Sequence, residues 1–168
     1  MPLKRIEKTP MSQRDADARA HDFFEVNEGY DLQRALFEAE RCLRCQDAVC
    51  VEGCPVGVPI PEFIHAIVAG DMPKAAAILR GANPLPAICG RVCPQESQCE
   101  ALCHMSTRFT PAAIGHLERF VADWERGEPA NDEARLPWRD EKIAIIGSGP
   151  AGLVCAGQLV DKGYPVTI

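Results

Sequence analysis

Apolar residues recur every three or four positions in several stretches of the chain, and this rhythm sets the expected elements. Asp31 is a good helix cap, and Leu32, Leu36 and Ala39 behind it predict a helix over Asp31 to Cys42. Pro61 opens a second helix, which carries Phe63, Ile64, Ile67 and Val68 and stops at Gly70. Asp71 caps a third through Leu79, ended by Gly81-Ala82-Asn83-Pro84. From about Pro111 a longer helix puts Ile114, Leu117, Val121 and Trp124 on one stripe. Between these, Gly53-Cys54-Pro55-Val56-Gly57-Val58-Pro59 reads as loop. Residues 1–30 are charged and weakly periodic, an extended arm with one short helix. Residues 127–140 are polar and hold two Pro, the composition of a linker. Beyond them the pattern changes to a β-rich run, Lys142–Ile146, then a glycine loop, a helix from Pro150 to Lys162, and the short run Pro165-Val166-Thr167-Ile168. The expected fold class is mainly α over residues 31–126, followed by a β-α-β start over residues 141–168.

Composition narrows the function. With 46% apolar and 25% charged residues among 168, the chain is neither disordered nor fibrous. A net charge of −6 lacks the electrostatic footprint of a nucleic-acid binder. No apolar run approaches the roughly 18 residues of a membrane span, and Met1-Pro2-Leu3-Lys4-Arg5 leads into charge rather than a signal core, so no membrane role and a cytoplasmic location are expected.

The nine cysteines do not fit a bland domain. Eight fall between Cys42 and Cys103, as Cys42-x2-Cys45-x4-Cys50-x3-Cys54-Pro55 and Cys89-x3-Cys93-Pro94-x4-Cys99-x3-Cys103. Disulfides suit a secreted chain, which this one does not resemble. Zinc uses paired Cys at short spacing. Iron–sulfur clusters need thiolates, and bacterial ferredoxins use Cys-x2-Cys-x2-Cys-x3-Cys-Pro, in which the fourth Cys serves the other cluster. The first group matches that run with two extra residues in its middle spacer, which favours iron–sulfur. Spacing alone suggests eight thiolates for two [4Fe–4S] clusters, four each. Glu118, at the edge of the apolar stripe, reads on spacing as a carboxylate that reaches water. Cys155 reads as a small, buried, inert thiol inside the last helix. The four His show no mutual spacing of a site; His65 reads as packed or partly exposed, and His104 follows Cys103.

Gly147-Ser148-Gly149-Pro150-Ala151-Gly152 follows one expected strand and opens a helix. That context turns a weak string into a dinucleotide-binding fingerprint: Gly147 for the tight turn, Gly149 for backbone approach to a pyrophosphate, Gly152 for close helix packing. The ribose-binding acidic residue is due about 20 positions on. No Asp or Glu follows Asp161, so the expectation is a nucleotide domain cut off near its second strand.

Taken together, the two Cys groups, Glu118-Arg119, the linker and GSGPAG resemble the N-terminal region of the NADPH-dependent glutamate synthase small (β) subunit family. That region is similar to segments of dihydropyrimidine dehydrogenase and of the large subunit of NADH-dependent ferredoxin:NADP oxidoreductase. The likeness is densest in Cys42–Pro55, Asn83–Cys103, Ile114–Phe120 and Lys142–Gly152. Phe23-Phe24-Glu25-Val26, Gly29-Tyr30 and Pro55–Pro61 look more like the homotetrameric and bifurcating branch than the bacterial small subunit. The resemblance implies an α-helical ferredoxin domain with two [4Fe–4S] clusters, then a Rossmann-like FAD domain and an NADPH domain. It also implies a different ligand set: Cys42, Cys45, Cys50 and Cys103 for one cluster, and Cys54, Cys93, Cys99 and Glu118 for the other, leaving Cys89 unligated. The glycine loop would serve FAD.

The activity so implied is an oxidoreductase in which hydride from NADPH reaches FAD and single electrons pass through the clusters to a partner. That partner is the glutamate synthase large subunit or another flavin or iron–sulfur protein, ferredoxin included. The 168 residues by themselves hold no complete active site and no catalytic residue. A bifurcating or dihydropyrimidine dehydrogenase-like enzyme shares the same residues, and a docking module with structural clusters is the reading of another class.

Overall fold

Carboxylates at three helix starts do what their positions predict. Asp15 accepts from the N–H groups of Asp17 and Ala18, Asp31 from Arg34, and Asp71 from Lys74. In the computed structural model, which describes residues 7–129 and 136–168, the chain is mainly α and divides into two units, Met1–Gly127 and Glu128–Ile168.

The first unit contains a short antiparallel ribbon, β1 (Ser12–Gln13) with β2 (Asn27–Gly29), around α1 (Ala16–Arg19). It continues through α2 (Leu32–Ala39), α3 (Val49–Glu52), α4 (Ile60–Val68), α5 (Met72–Ala82), α6 (Pro86–Val92) and α7 (Ile114–Gly127). Two single 3-10 turns, Gln95–Ser97 and His104–Thr107, lie between α6 and α7. Helices α4, α5 and α7 bring Phe63, Ile64, Ile67, Leu79, Leu117 and Val121 together almost fully buried. Each such side chain contributes about 1.5–3 kcal/mol of burial. α4 packs on α5 and α2, and α7 on α6, α5 and α2.

Several expected details change. α2 ends at Ala39 rather than Cys42, and Leu32 is 58% exposed, while Ala35, Glu38 and Ala39 face inward. The reason is polar: Glu38 and Arg41 are 0% and 1% exposed and bind each other with Arg41 Nη1 to Glu38 Oε1 at 2.5 Å. Glu38 also accepts from the backbone N–H of Thr9 at 2.7 Å and of Ala113 at 2.8 Å. Arg41 donates to the carbonyls of Thr110 at 2.5 Å and Pro111 at 3.1 Å. Residues 111–113 are thereby held non-helical, so α7 starts at Ile114 and not at Pro111. α5 runs on through Gly81 to Ala82 and stops at Asn83, whose backbone is extended ahead of Pro84. The arm is a folded strap rather than a plain extended segment. His65 lies exposed.

In the second unit, β3 (Ile143–Ala144) and β4 (Val166–Thr167) pair in parallel, Ile143 with Val166 and Ala144 with Thr167, and α8 (Pro150–Asp161) connects them. Cys155 is exposed, against the expectation of burial. One helix over two short strands covers a single face, and Ala156 is the residue of α8 that it buries. Residues 130–135, within the expected linker, lie outside the described residues. Among the described residues no helix is long and apolar enough to cross a membrane.

The Glu38→Ala substitution strands Arg41 and two backbone N–H groups in the interior. Denaturant unfolding is expected to give a loss of about 3–5 kcal/mol; a loss under about 1 kcal/mol would mark the pair as peripheral.

Candidate metal centre

The donors come from both ends of a long excursion between α2 and α7. Cys42 and Cys45 follow α2 across Arg44, which takes the left-handed region at φ 53° and folds this short stretch back. A non-glycine residue there costs about 1–2 kcal/mol. Cys50 sits in α3 and Cys54 just beyond it; Cys89 is in α6 and Cys93 ends that helix. Cys99 is buried after the first 3-10 turn, Cys103 precedes the second, and Glu118 lies in the second turn of α7. The two cysteine segments cross at Gly53, where a Cβ would lie 2.8 Å from the Gln98 carbonyl oxygen and 3.1 Å from Cys99 Cα. That crossing sets Cys54 beside the second segment.

The electrostatics divide the donors accordingly. Burial pushes the Cys50 thiol up to about 12, and the charges that add to this are those of Cys103, Cys42 and Cys45. Cys93 is pushed up to about 11 by burial, then by Cys89, Glu118 and Cys54. Cys99 is pushed up to about 12 by burial, then by Glu100, Cys54 and Glu118. Cys50 thus has Cys103 near it as well as Cys42 and Cys45, and Cys93 has Cys89, Glu118 and Cys54 near it.

Glu118 does not reach water. It is 8% exposed, accepts from Asn83 Nδ2 at 2.8 Å, and is pushed up to about 7 by burial against that hydrogen bond. Cys89 Sγ lies 3.7 Å from Asn83 Oδ1 and is also hydrogen-bonded with Cys93, while its carbonyl accepts from Gln95 Nε2 at 3.2 Å.

This donor set suits iron–sulfur chemistry. Thiols that burial and mutual repulsion keep protonated need a cationic centre to become thiolates, and a coordinating metal supplies that charge. Among the described residues no three His, Cys, Asp or Glu converge closely enough to hold one metal ion. A tetrahedral zinc site needs all its donor atoms about 2.0–2.3 Å from one point. Ligands of a cluster bond different irons and stand farther apart.

Charged residues that spacing did not single out hold this region together. Arg91, between Cys89 and Cys93, binds Glu25 at 2.5 Å and Asp123 at 2.8 Å. Arg119 donates to the Asn27 carbonyl at 2.8 Å. α6 and α7 touch at Gly90, where a Cβ would lie 2.7 Å from Arg119 N.

In the second unit, Gly147 has φ +104°, and Gly149 caps α8 with open space where a Cβ would stand. A Cβ on Gly152 would lie 2.0 Å from the Gly147 carbonyl oxygen, so α8 leaves the loop at a distance only glycine allows. Ser148, Pro150 and Ala151 are exposed around the start of α8.

A mainly α-helical unit with two groups of cysteines, half-buried apart from the buried Cys99, and one buried carboxylate defines a cysteine-rich cofactor-binding domain. The family described as dihydropyrimidine dehydrogenase domain II, 4Fe-4S cluster, matches residues 19–130, and the chain belongs to it. It is 38% identical over 157 residues to the glutamate synthase [NADPH] small chain of Halomonas elongata, covering 90% of this chain and 32% of that one. The glutamate synthase [NADPH] small chain of Escherichia coli is 36% identical over 152 residues, 89% of this chain and 32% of that one. The NAD-dependent dihydropyrimidine dehydrogenase subunit PreT of Escherichia coli is 39% identical over 146 residues, 86% of this chain and 35% of that one. The chain thus spans about a third of the length of these relatives.

Gly90→Ala drives a methyl group into the α7 backbone, which cannot yield as a side chain can. Thermal unfolding should report a loss of about 1–3 kcal/mol; an unchanged midpoint would show that the helices separate freely.

Proposed function

We propose that residues 31–126 form an α-helical ferredoxin domain that binds two [4Fe–4S] clusters and relays electrons within an NADPH-dependent FAD oxidoreductase of the glutamate synthase small-subunit type. One observation supports the reading: the two cysteine segments meet, with Cys103 near Cys50 and Cys54 near Cys93 and Cys99. Interleaving is the ferredoxin arrangement, in which a run gives its fourth Cys to the other cluster. On this reading Cys42, Cys45, Cys50 and Cys103 hold one cluster, and Cys54, Cys93, Cys99 and Glu118 the other. Cys89 is assigned to neither; its thiol lies beside both Asn83 Oδ1 and Cys93.

When bound, the clusters carry single electrons, and FAD and NADPH supply the conversion from hydride. The chain's own residues bury the sulfurs and supply hydrogen-bond donors around them, the levers by which a protein sets a cluster's potential. Residues 141–168 are the start of the FAD-binding domain. Gly147 and Gly152 support this by their geometry, and the open N-terminus of α8 suits a pyrophosphate. The electron acceptor is the large subunit of a glutamate synthase. The 39% identity to a dihydropyrimidine dehydrogenase subunit favours a second reading, in which electrons pass to or from a pyrimidine-reducing partner.

Iron and sulfide analysis of anaerobically prepared protein tests the clusters, with a redox titration to establish that they cycle. Glu118→Ala is expected to lose one cluster and keep the other, while Cys89→Ser keeps both. The reverse pattern would return the assignment to four thiolates per contiguous group, and clusters that do not cycle would leave only a structural role.

A further inference from the structure

Glu118 is an oxygen donor among thiols, and little else in the chain holds it. Its neighbour Arg119 turns away, toward the Asn27 carbonyl at 2.8 Å and the carboxylates of Glu25 and Asp123, each at 3.4 Å. Among the described residues no Lys, Arg or His forms an ion pair with Glu118. Its partner is Asn83, 4% exposed, whose Nδ2 donates to Oε1 at 2.8 Å.

The orientation of the Asn83 amide is fixed from its other end. Oδ1 accepts from the backbone N–H of Leu85 at 3.0 Å and lies 3.7 Å from the Cys89 thiol. A backbone N–H can only donate and a carboxylate can only accept, so the amide has one satisfactory orientation. A flipped amide would set oxygen against the Glu118 anion and NH2 against the Leu85 N–H. The Cys89 S–H adds a second, weaker donor on the side where the oxygen must stay.

We propose that Asn83 is a positioning residue, locked by Leu85 and Cys89, that holds one oxygen of Glu118 and leaves the other for the metal site shared with Cys54, Cys93 and Cys99. This rests on the cluster assignment proposed above and adds to it the residue that aims the carboxylate. It also gives Cys89 work: its thiol steadies the amide and is not spent on iron. Two oxygens on one carboxylate could compete for the same iron; tying one to an amide donor leaves a single ligand atom, as a thiolate would offer.

The Asn83→Asp variant tests this with little change of volume. It keeps an acceptor for the Leu85 N–H and sets an anionic oxygen against Glu118. Anaerobically prepared protein should lose about half its iron, since four of the eight thiol or carboxylate donors serve the affected cluster. The electron paramagnetic resonance signal of one reduced cluster should disappear while the other stays unchanged, which also reports that the fold is intact. The double variant Asn83→Asp, Glu118→Gln exchanges donor and acceptor across the same contact and should restore the iron and the second signal. A role in folding alone would not be rescued by that exchange. Full iron, unchanged spectra and an unshifted reduction potential in Asn83→Asp would overturn the positioning role while leaving the clusters in place. Loss of both clusters without rescue would overturn it in favour of a folding role. Wild-type protein without iron or sulfide would overturn the cluster reading and the positioning role together.

Discussion

The buried pair of Glu38 and Arg41 is the constraint on which the first unit depends. Bringing two charges out of water costs several kcal/mol each, and such a pair is tolerated only when its remaining hydrogen-bonding capacity is filled. Here it is filled by backbone from two separate segments: Thr9 in the arm, and Thr110, Pro111 and Ala113 in the stretch leading into α7. An apolar pair of the same volume could fill the space but could not select those backbone groups. The consequence reaches the metal centre from both sides. Cys42 follows Arg41 directly, and Ile114, the first residue of α7, follows Ala113. One ion pair thus fixes where Cys42 leaves α2 and how far along α7 the Glu118 carboxylate stands.

The arm extends the same logic over the surface of α6 and α7. Single exposed ion pairs contribute little, about 0–1 kcal/mol each. Glu25, Arg91, Asp123 and Arg119 instead form a chain of shared partners, with Arg119 7% exposed at its centre. Tyr30 adds a buried anchor: its hydroxyl donates to the Thr9 carbonyl at 2.5 Å, and its ring meets His116 edge to face at 5.4 Å. Arg91 lies between Cys89 and Cys93, so the strap closes over the helix whose end supplies a thiol. A segment that composition alone marks as a charged tail is held in place because its charges have fixed partners.

What could be read from the sequence follows this division between local and long-range causes. α4, α5 and α7 were legible from their burial stripes, and in α5 a cap coincides with the stripe, Asp71 standing before Met72, Ala75, Ala76 and Leu79. α6 was not, since Pro86-Ala87-Ile88-Cys89-Gly90-Arg91-Val92 is short, contains glycine and leaves Ile88 and Val92 exposed. In α2 the apolar pattern pointed to Leu32, whereas the buried face carries Glu38. No local rule marks an acidic residue as interior when the backbone N–H groups it accepts from lie 29 and 75 positions away. The cysteine motif declared its chemistry from spacing, but not its grouping, because the crossing at Gly53 and Gln98 is a tertiary event. Spacing divides the donors by segment, and the resemblance to known proteins implies the interleaved set proposed here. Asn83 was visible only as a helix stop ahead of Pro84.

Interleaving has a further physical consequence. If each donor group drew on one segment, either could assemble while the other stayed open, and loading would be stepwise and local. Under the proposed assignment, with Cys103 closing the first group and Cys54 opening the second, neither is complete until both segments have met at Gly53. Ligand binding in small metal domains is itself folding free energy. Under the proposed assignment that energy acts on the whole excursion from Cys42 to Cys103 at once. The buried pair of Glu38 and Arg41 then does for the ends of this excursion what the metal centre does for its middle. It holds α2 and α7 in register, while α4 and α5 between them supply the apolar core and the flanking cysteine segments, rich in Pro and Gly, carry the donors.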